Sequence, residues 1–379
     1  MSAISSLSSF LQNITLVQNA QNQIAKLTFQ VDTGLKSQDL QGYGTQANQL
    51  LNLQSGQATE QNYVANNTQT STFLSAYDTT LSQISGDATK LSASLDAFTV
   101  TDPNAVSNLK TLVSGLQVDV AATLNTQVGG RYLYGGTRYT TAPVGDLSAL
   151  PAPTFVTPAT TPPTVTPLVV ADGTVPAPQT VPPTLPLPPY DSQAGTALNA
   201  AAPTAAQQAQ INQTYATQTT AIANNEQTTY GISSNDPTFQ HLVYALQNAQ
   251  AAANTNTSTP AGLAAQQAYI QKATSEIGIA LNGSPAVPAS AGPPPVAAIP
   301  AVDGLQTLQD QNGSAEVTVA NANTVHNQTL ATLQSQISNI DQVDPATVAT
   351  ELSTAQNTLQ GSYKVVSSVL NDTLLNYLK

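Results

Sequence analysis

Apolar residues recur at alternating steps of three and four in four stretches of the chain. The clearest pattern covers residues 74–98, and it restarts over residues 106–124. It returns over residues 348–377, and a looser version covers residues 7–31. A helix with this spacing carries an apolar stripe along one face and buries the stripe against another helix. Both ends of the sequence are therefore predicted to form long helices that pack as a coiled-coil-like bundle.

Two kinds of partner could cover these apolar stripes: other helices of the same chain, or helices of neighbouring copies. The faces beside the stripes carry Gln, Asn, Ser and Thr in place of the charged pairs that usually select coiled-coil partners, so shape and apolar contact must select them here. The length of the stripes favours contacts between copies. The residues expected to form this assembly seam are Ile14, Ile24, Leu27, Leu74, Tyr77, Leu81, Ile84, Leu91, Leu95, Leu109, Val113, Leu116, Leu352, Leu359, Tyr363, Val366, Leu370, Leu374 and Tyr377.

Local signals predict where the first helices begin and end. Gly34 is a natural stop for a helix over about residues 5–33, because glycine adopts the left-handed conformation after a helix at little cost. A second helix is predicted over about residues 45–98. A third begins after a capping Asp102, with a proline in its first position, and is predicted to end near Gly129.

A short aromatic segment, residues 131–139, follows the third helix. Its glycines and tyrosines predict a strand and a turn. The turn motif within it consists of Tyr132, Leu133, Tyr134, Gly135, Gly136 and Thr137.

These patterns divide the chain into five segments. Residues 1–140 are predicted to be helical, 141–204 to form a Pro/Thr-rich insertion, 205–283 to be mixed helix and strand returning to the bundle, 284–316 to be a Pro-rich loop or subdomain, and 317–379 to be helical. The prolines of the insertion exclude helix there, which leaves extended strands or exposed loop. The expected fold class is mainly α, with a helical bundle built from both chain ends and an inserted β or irregular outer domain.

Charge and composition narrow the classes of function. Charged residues make up 8% of the 379-residue chain, against about 25% in an average protein, and the net charge is −12. Nucleic-acid binding needs clustered basic residues, so it is not expected. Membrane insertion is not expected either, because no apolar run reaches about 18 residues. The absence of cysteine excludes disulfides and thiolate metal sites.

No sequence motif for catalysis is present. The two histidines, His241 and His326, lack carboxylates at metal-ligand spacing, and the chain has no phosphate-binding loop, dinucleotide-binding loop or serine nucleophile elbow. We interpret His241 as a structural or surface histidine. Arg131 and Arg138 could bind an anion, but the favoured interpretation is that they flank a packed turn or reach a carboxylate of a neighbouring subunit. We therefore expect no enzyme activity, no cofactor and no metal.

Three stretches resemble the bacterial flagellin family, most closely its hook–filament junction members of the hook-associated protein 3 class. Residues 352–378, LSTAQNTLQGSYKVVSSVLNDTLLNYL, match the family's C-terminal helix, and the ending LLNYL is the type found in junction proteins. Residues 130–137, GRYLYGGT, are similar to the junction members' YLFxGT turn. Residues 30–36, QVDTGLK, look like the family's ISSGxK region, although DLQGYG at 39–44 replaces the acidic DDP segment that is common there.

This resemblance covers residues 1–140 and 205–379, and it implies a structural subunit of the flagellum. The terminal helices would form an inner α-helical tube, and the central insertion would face outward. The implied partners are copies of the chain itself, flagellar hook-associated proteins, flagellin and an export chaperone. The implied location is extracellular, reached by type III export as an unfolded chain. The first ten residues lack the basic and apolar parts of a cleaved secretory signal, which agrees with that route.

Three functions remain open from the sequence. The leading one is the junction subunit that connects hook and filament, and the second is flagellin itself. These two would share a fold, and only the turn motif and the last residues separate them. A type III secreted adhesin or translocator is a more distant alternative, and a translocator should carry membrane-active apolar stretches, which the chain lacks.

Overall fold

A computed structural model describes residues 2–100, 102–137, 139–140, 142–149, 217–286 and 301–377. In this part of the chain helices dominate, and the strands form only two short antiparallel hairpins. This confirms the predicted mainly α fold. The helices are α1 (Ser2–Thr33), α2 (Ala47–Asp96), α3 (Pro103–Leu124), α4 (Pro237–Asn254), α5 (Pro260–Asn282), α6 (Gly304–Asp341) and α7 (Pro345–Tyr377). The hairpins are β1 (Gln127–Val128) with β2 (Arg131–Tyr132), and β3 (Gln218–Ala223) with β4 (Glu226–Tyr230).

Three of these helices begin after a capping residue, whose side chain accepts a hydrogen bond from an amide of the first helical turn. Asp102 accepts a hydrogen bond from the Asn104 amide at 2.8 Å, and Asp236 accepts one from the Thr238 amide at 2.9 Å. Thr259 likewise accepts from the Gly262 amide. A proline follows each cap in the first helical turn, where its missing N–H has no partner to lose. The predicted start of α3 at Asp102 is confirmed.

Two predicted boundaries differ from the structure. Helix α3 ends at Leu124, not near Gly129, because Gly129 and Gly130 have positive φ angles of 59° and 78° and form the turn of the first hairpin. Residues 304–316, which the sequence assigned to a loop or subdomain, form the first turns of α6. The last proline before them is Pro300, so nothing interrupts the helical hydrogen bonds after it.

The chain divides into two compact units. The terminal unit comprises residues 1–64 and 324–379, and the central unit comprises residues 65–323. The Pro/Thr-rich insertion predicted over residues 141–204 lies mostly outside the described residues. Within the described part of the chain, no helix is long and apolar enough to cross a membrane.

The core of the central unit is formed by α3, α4 and α5 together with the C-terminal part of α2. Helix α4 packs against both α3 and α5, and apolar side chains of all four helices share one cluster. The largest side chains buried there are Tyr134 and Phe239, which are 0% exposed. Ile222 of β3 is buried in a smaller cluster with Leu74 of α2 and Val319 of α6. The second hairpin is therefore fixed across the α2–α6 pair.

In the terminal unit, α1 packs along α7, and the start of α2 packs along the end of α6. Leu27 of α1 is buried against Val348 and Ala355 of α7. Tyr43 and Leu50 are buried against Ile337 and Ile340 of α6. Among the side chains that the structure describes, each of these two clusters contains only a few residues.

Candidate assembly surface

The first and last helices of this sequence form an antiparallel pair. Helix α1 ends beside the start of α7, because Leu35 and Gln342 pair as an isolated antiparallel bridge between the two connecting segments. Farther along the pair, Gln21 Nε2 donates a hydrogen bond of 2.8 Å to the Tyr363 hydroxyl. A two-helix pair of this kind buries only one stripe of each helix, and the remaining faces are left to solvent.

Large apolar side chains lie on those solvent-facing sides. Leu11 and Leu16 of α1 are 56% and 60% exposed, and Tyr363 and Val365 of α7 are 47% and 56% exposed. Each of these side chains would lose exposed apolar surface if another helix packed against the pair. This exposed set on the α1–α7 pair is the candidate assembly surface.

A shallow open groove runs between the two helices and has a volume of about 270 Å³. Small and neutral side chains form most of its walls, and Glu351 is the one ionisable group among them. Its lining residues are Ala20, Gln23, Thr350, Glu351, Thr354, Ala355 and Thr358.

Hydrogen bonds join the segment that follows α1 to the segment that precedes α7. The Val343 amide donates to the Gly34 carbonyl at 2.9 Å, and the Lys36 amide donates to the Asp341 carbonyl at 2.7 Å. The Tyr43 hydroxyl hydrogen-bonds both the Ser37 carbonyl and the Asp341 carboxylate. Burial, with Asp341 beside it, raises the pKa of Tyr43 to about 12, so this phenol stays a donor at physiological pH. Both connections are thus fixed relative to each other.

The structure separates the predicted seam residues into two groups. One group belongs to the central unit and is buried in the chain's own core: Leu74, Tyr77, Leu81, Ile84, Leu91, Leu95, Leu109, Val113 and Leu116. The other belongs to the α1–α7 pair, where Leu27 is buried, Tyr363 is exposed, and Ile14, Ile24, Leu352, Leu359 and Val366 are half-buried. The side chains of Leu370, Leu374 and Tyr377 lie outside the described residues.

The turn motif lies in the central unit and is anchored by Tyr134. Its ring meets Tyr77 and Phe239 edge to face, at centroid distances of 5.2 and 5.4 Å, and its hydroxyl lies 2.7 Å from the Thr80 hydroxyl. The Tyr77 hydroxyl in turn donates to the Leu133 carbonyl. Burial raises the pKa of both tyrosines, so both remain neutral donors. The motif therefore packs the turn onto helix α2.

The remaining motif residues are placed around this anchor. Tyr132 is half-buried in β2, Gly135 and Gly136 are buried, and Thr137 is exposed. The Tyr134 carbonyl accepts a hydrogen bond from the Ser234 amide at 2.9 Å, which ties the motif to the segment before α4.

Arg131 lies at the edge of the turn motif. Its guanidinium carbon is 3.9 Å from the Tyr139 ring centroid and 5.4 Å from that of Phe73. Its Nη2 donates to Gln218 Oε1 at 3.3 Å. Arg131 therefore flanks a packed turn, as the sequence suggested. Arg138 lies outside the described residues.

Sequence reasoning missed one ionic cluster, in which Glu276 of α5 pairs with both His241 of α4 and Lys272 of α5. Glu276 is 3% exposed. The i to i+4 spacing of Lys272 and Glu276 was visible in the sequence, but the approach of His241 depends on how α4 packs on α5. Elsewhere, His326 of α6 stacks on Tyr63 at 5.0 Å and pairs with Glu60 of α2. Among the described residues, no three His, Asp or Glu side chains converge as a possible metal site.

Comparisons with known proteins give no family assignment. No protein-family model matches the chain, and no curated protein matches it. One solved structure with a matching chain is that of a Vibrio parahaemolyticus protein provisionally assigned as a flagellar hook-associated protein. It has a TM-score of 0.43 and 10% identity, and the match covers 78% of this chain and 97% of that chain. At this TM-score the likeness to that structure carries no argument.

Proposed function

We propose that this chain is a structural subunit of the bacterial flagellum that assembles through its α1–α7 pair. The observation that carries the proposal is the exposure of Leu11, Leu16, Tyr363 and Val365 on the α1–α7 pair. Contact with further helices would bury these side chains, at about 1.5–3 kcal/mol each. The flagellar assignment itself draws on the sequence resemblance at residues 352–378 and 130–137.

Within the flagellum, the proposed role is the junction subunit between hook and filament. The ending LLNYL and the turn motif favour this role over flagellin, which is the second candidate. The proposed partners are copies of this chain, hook-associated proteins, flagellin and an export chaperone. The proposed location is extracellular, and the proposal assigns the chain no enzyme activity and no cofactor.

Immunogold electron microscopy with an antibody against residues 141–204 tests the assignment. A single band of label where hook meets filament is the expected result. Label along the whole filament would make the chain a flagellin. Absence of label from the flagellum would overturn the proposal and favour a secreted adhesin.

Polymerisation of the purified full chain tests the assembly surface. The L16Q substitution should raise the critical concentration for assembly about tenfold or more, because it removes an apolar side chain from the contact. The matched control is V118T, since Val118 of α3 is 63% exposed but lies in the central unit. Equal critical concentrations for L16Q and V118T would remove Leu16 from the assembly surface.

A further inference from the structure

Among the residues that the structure describes, Arg131 has no acidic partner, although the chain is strongly acidic. The chain has 9 Lys and Arg residues against 21 Asp and Glu residues. Within the described residues, the ion pairs involve other groups: Lys90 with Asp87, Lys272 and His241 with Glu276, and His326 with Glu60. No described carboxylate lies within 4 Å of the Arg131 guanidinium.

The guanidinium is nevertheless held in place. It lies over the Phe73 and Tyr139 rings, and its one hydrogen bond within the described part of the chain goes to Gln218. Gln218 is itself fixed, because its Oε1 accepts from the Tyr230 hydroxyl at 3.0 Å and its Nε2 donates to the Gly136 carbonyl at 3.3 Å. Ring contacts occupy guanidinium faces and leave the N–H groups at its edge for a carboxylate. Fixing the side chain beforehand lowers the entropy cost of binding a partner.

Charge indicates what this partner is. Two copies of a chain with net charge −12 repel each other, so a cation that meets a carboxylate across the contact offsets part of that repulsion. Arg131 is half-buried and the neighbouring Tyr139 is 40% exposed, so an approaching side chain can reach the pair.

We propose that Arg131, held against the Phe73 and Tyr139 rings, binds a carboxylate of a second copy of this chain. This inference rests on the proposed self-assembly. It adds a contact of the central unit to the assembly surface of the α1–α7 pair.

The first test compares R131Q with K110Q in polymerisation of the full chain. Both substitutions remove one positive charge, and Lys110 is exposed on α3 without an ion pair among the described residues. R131Q should raise the critical concentration about three- to tenfold over K110Q. It should also flatten the dependence of the critical concentration on NaCl, since the lost contact is ionic. A purely structural role for Arg131 would leave that salt dependence unchanged.

The second test locates the contact. Equal amounts of ¹⁴N- and ¹⁵N-labelled R131K chains are assembled and treated with a carbodiimide. The reagent joins the lysine amine to a carboxylate as an amide, and the carbodiimide takes up the water that is lost and becomes a urea. Mass spectrometry should find a mixed-isotope crosslink at position 131. Crosslinks within single chains only would overturn the inference.

The outcomes separate the inference from the proposed function. If the wild-type chain assembles and R131Q behaves like K110Q, the inference is overturned and the proposed self-assembly stands. If the wild-type chain does not assemble, both are overturned. Urea unfolding of the R131Q and K110Q monomers shows whether either variant has lost its fold. If R131Q does not fold, the crosslinking test with R131K, which keeps the positive charge, decides the inference.

Discussion

Among single residues, Glu276 shows how this chain uses one of its few charges. Its buried carboxylate lies between His241 and Lys272. Burial alone raises the pKa of Glu276, but hydrogen bonds and charge from His241 and Lys272 outweigh burial, so the pKa is lowered overall. The stability it supplies is therefore present above its unfolded pKa of about 4.3 and is lost as the pH falls through the lower folded pKa.

The E276Q substitution should lower the free energy of unfolding by about 2–4 kcal/mol at pH 7, because it leaves the Lys272 ammonium and the His241 ring beside a buried neutral amide in place of the carboxylate that they contact. Urea unfolding followed by circular dichroism measures the effect. The difference from wild type should shrink below about pH 4, as the carboxylate of the wild-type chain is protonated. E226Q is the control, since Glu226 is exposed on β4. Equal effects of the two substitutions would show that the cluster adds nothing.

Tyr134 offers a second test among single residues. The Y134F substitution removes only the hydroxyl bonded to Thr80 and should cost about 1 kcal/mol of unfolding free energy. The Y134A substitution also removes the ring between Tyr77 and Phe239 and should cost about 3–5 kcal/mol. Thermal or urea unfolding measures the loss of unfolding free energy in each variant. A Y134A cost close to that of Y134F would mean that the ring is not part of the core.

Among helices and strands, the effect of replacing a glycine depends on whether it lies in a turn with a positive φ angle or inside a helix. Gly130 has φ +78° in the β1–β2 turn, whereas Gly86 lies within α2, where a Cβ would have open space around it. G130A should therefore cost about 1 kcal/mol, because alanine strains the left-handed conformation. G86A should add about 0.5–1 kcal/mol, because alanine favours the helix. Unfolding midpoints that move in the same direction for both variants would contradict this pair of predictions.

Helix boundaries show where local sequence is sufficient. Asp102 was recognised as the start of α3, because a cap acts on amides within its own first turn. The end of α3 at Leu124 and the start of α6 at Gly304 were not. The first depends on a hairpin turn, and the second is favoured by burial of Leu305 and Leu308 in a core built by distant helices.

For the whole molecule, the proposed assembly should tolerate mild acid. The groove between α1 and α7 is lined mostly by alanine, threonine and glutamine, which do not titrate. Any carboxylate paired with Arg131 also stays ionised down to about pH 4. Assemblies should therefore persist at pH 5 as at pH 7, measured by sedimentation and electron microscopy. Dissociation at pH 5 with none at pH 7 would show that titrating pairs hold the copies together.

The sequence by itself determined the long terminal helices, the cap at Asp102 and the apolar stripes, because these depend on neighbours within a few turns. It also indicated that the first and last helices would pack together. Only the tertiary structure decided which stripes are used inside the chain, because burial of residues 74–124 depends on α4 and α5, which lie far along the chain. It likewise brought His241 to Glu276 and Arg131 to Phe73, since such contacts depend on how folded elements meet rather than on spacing along the chain.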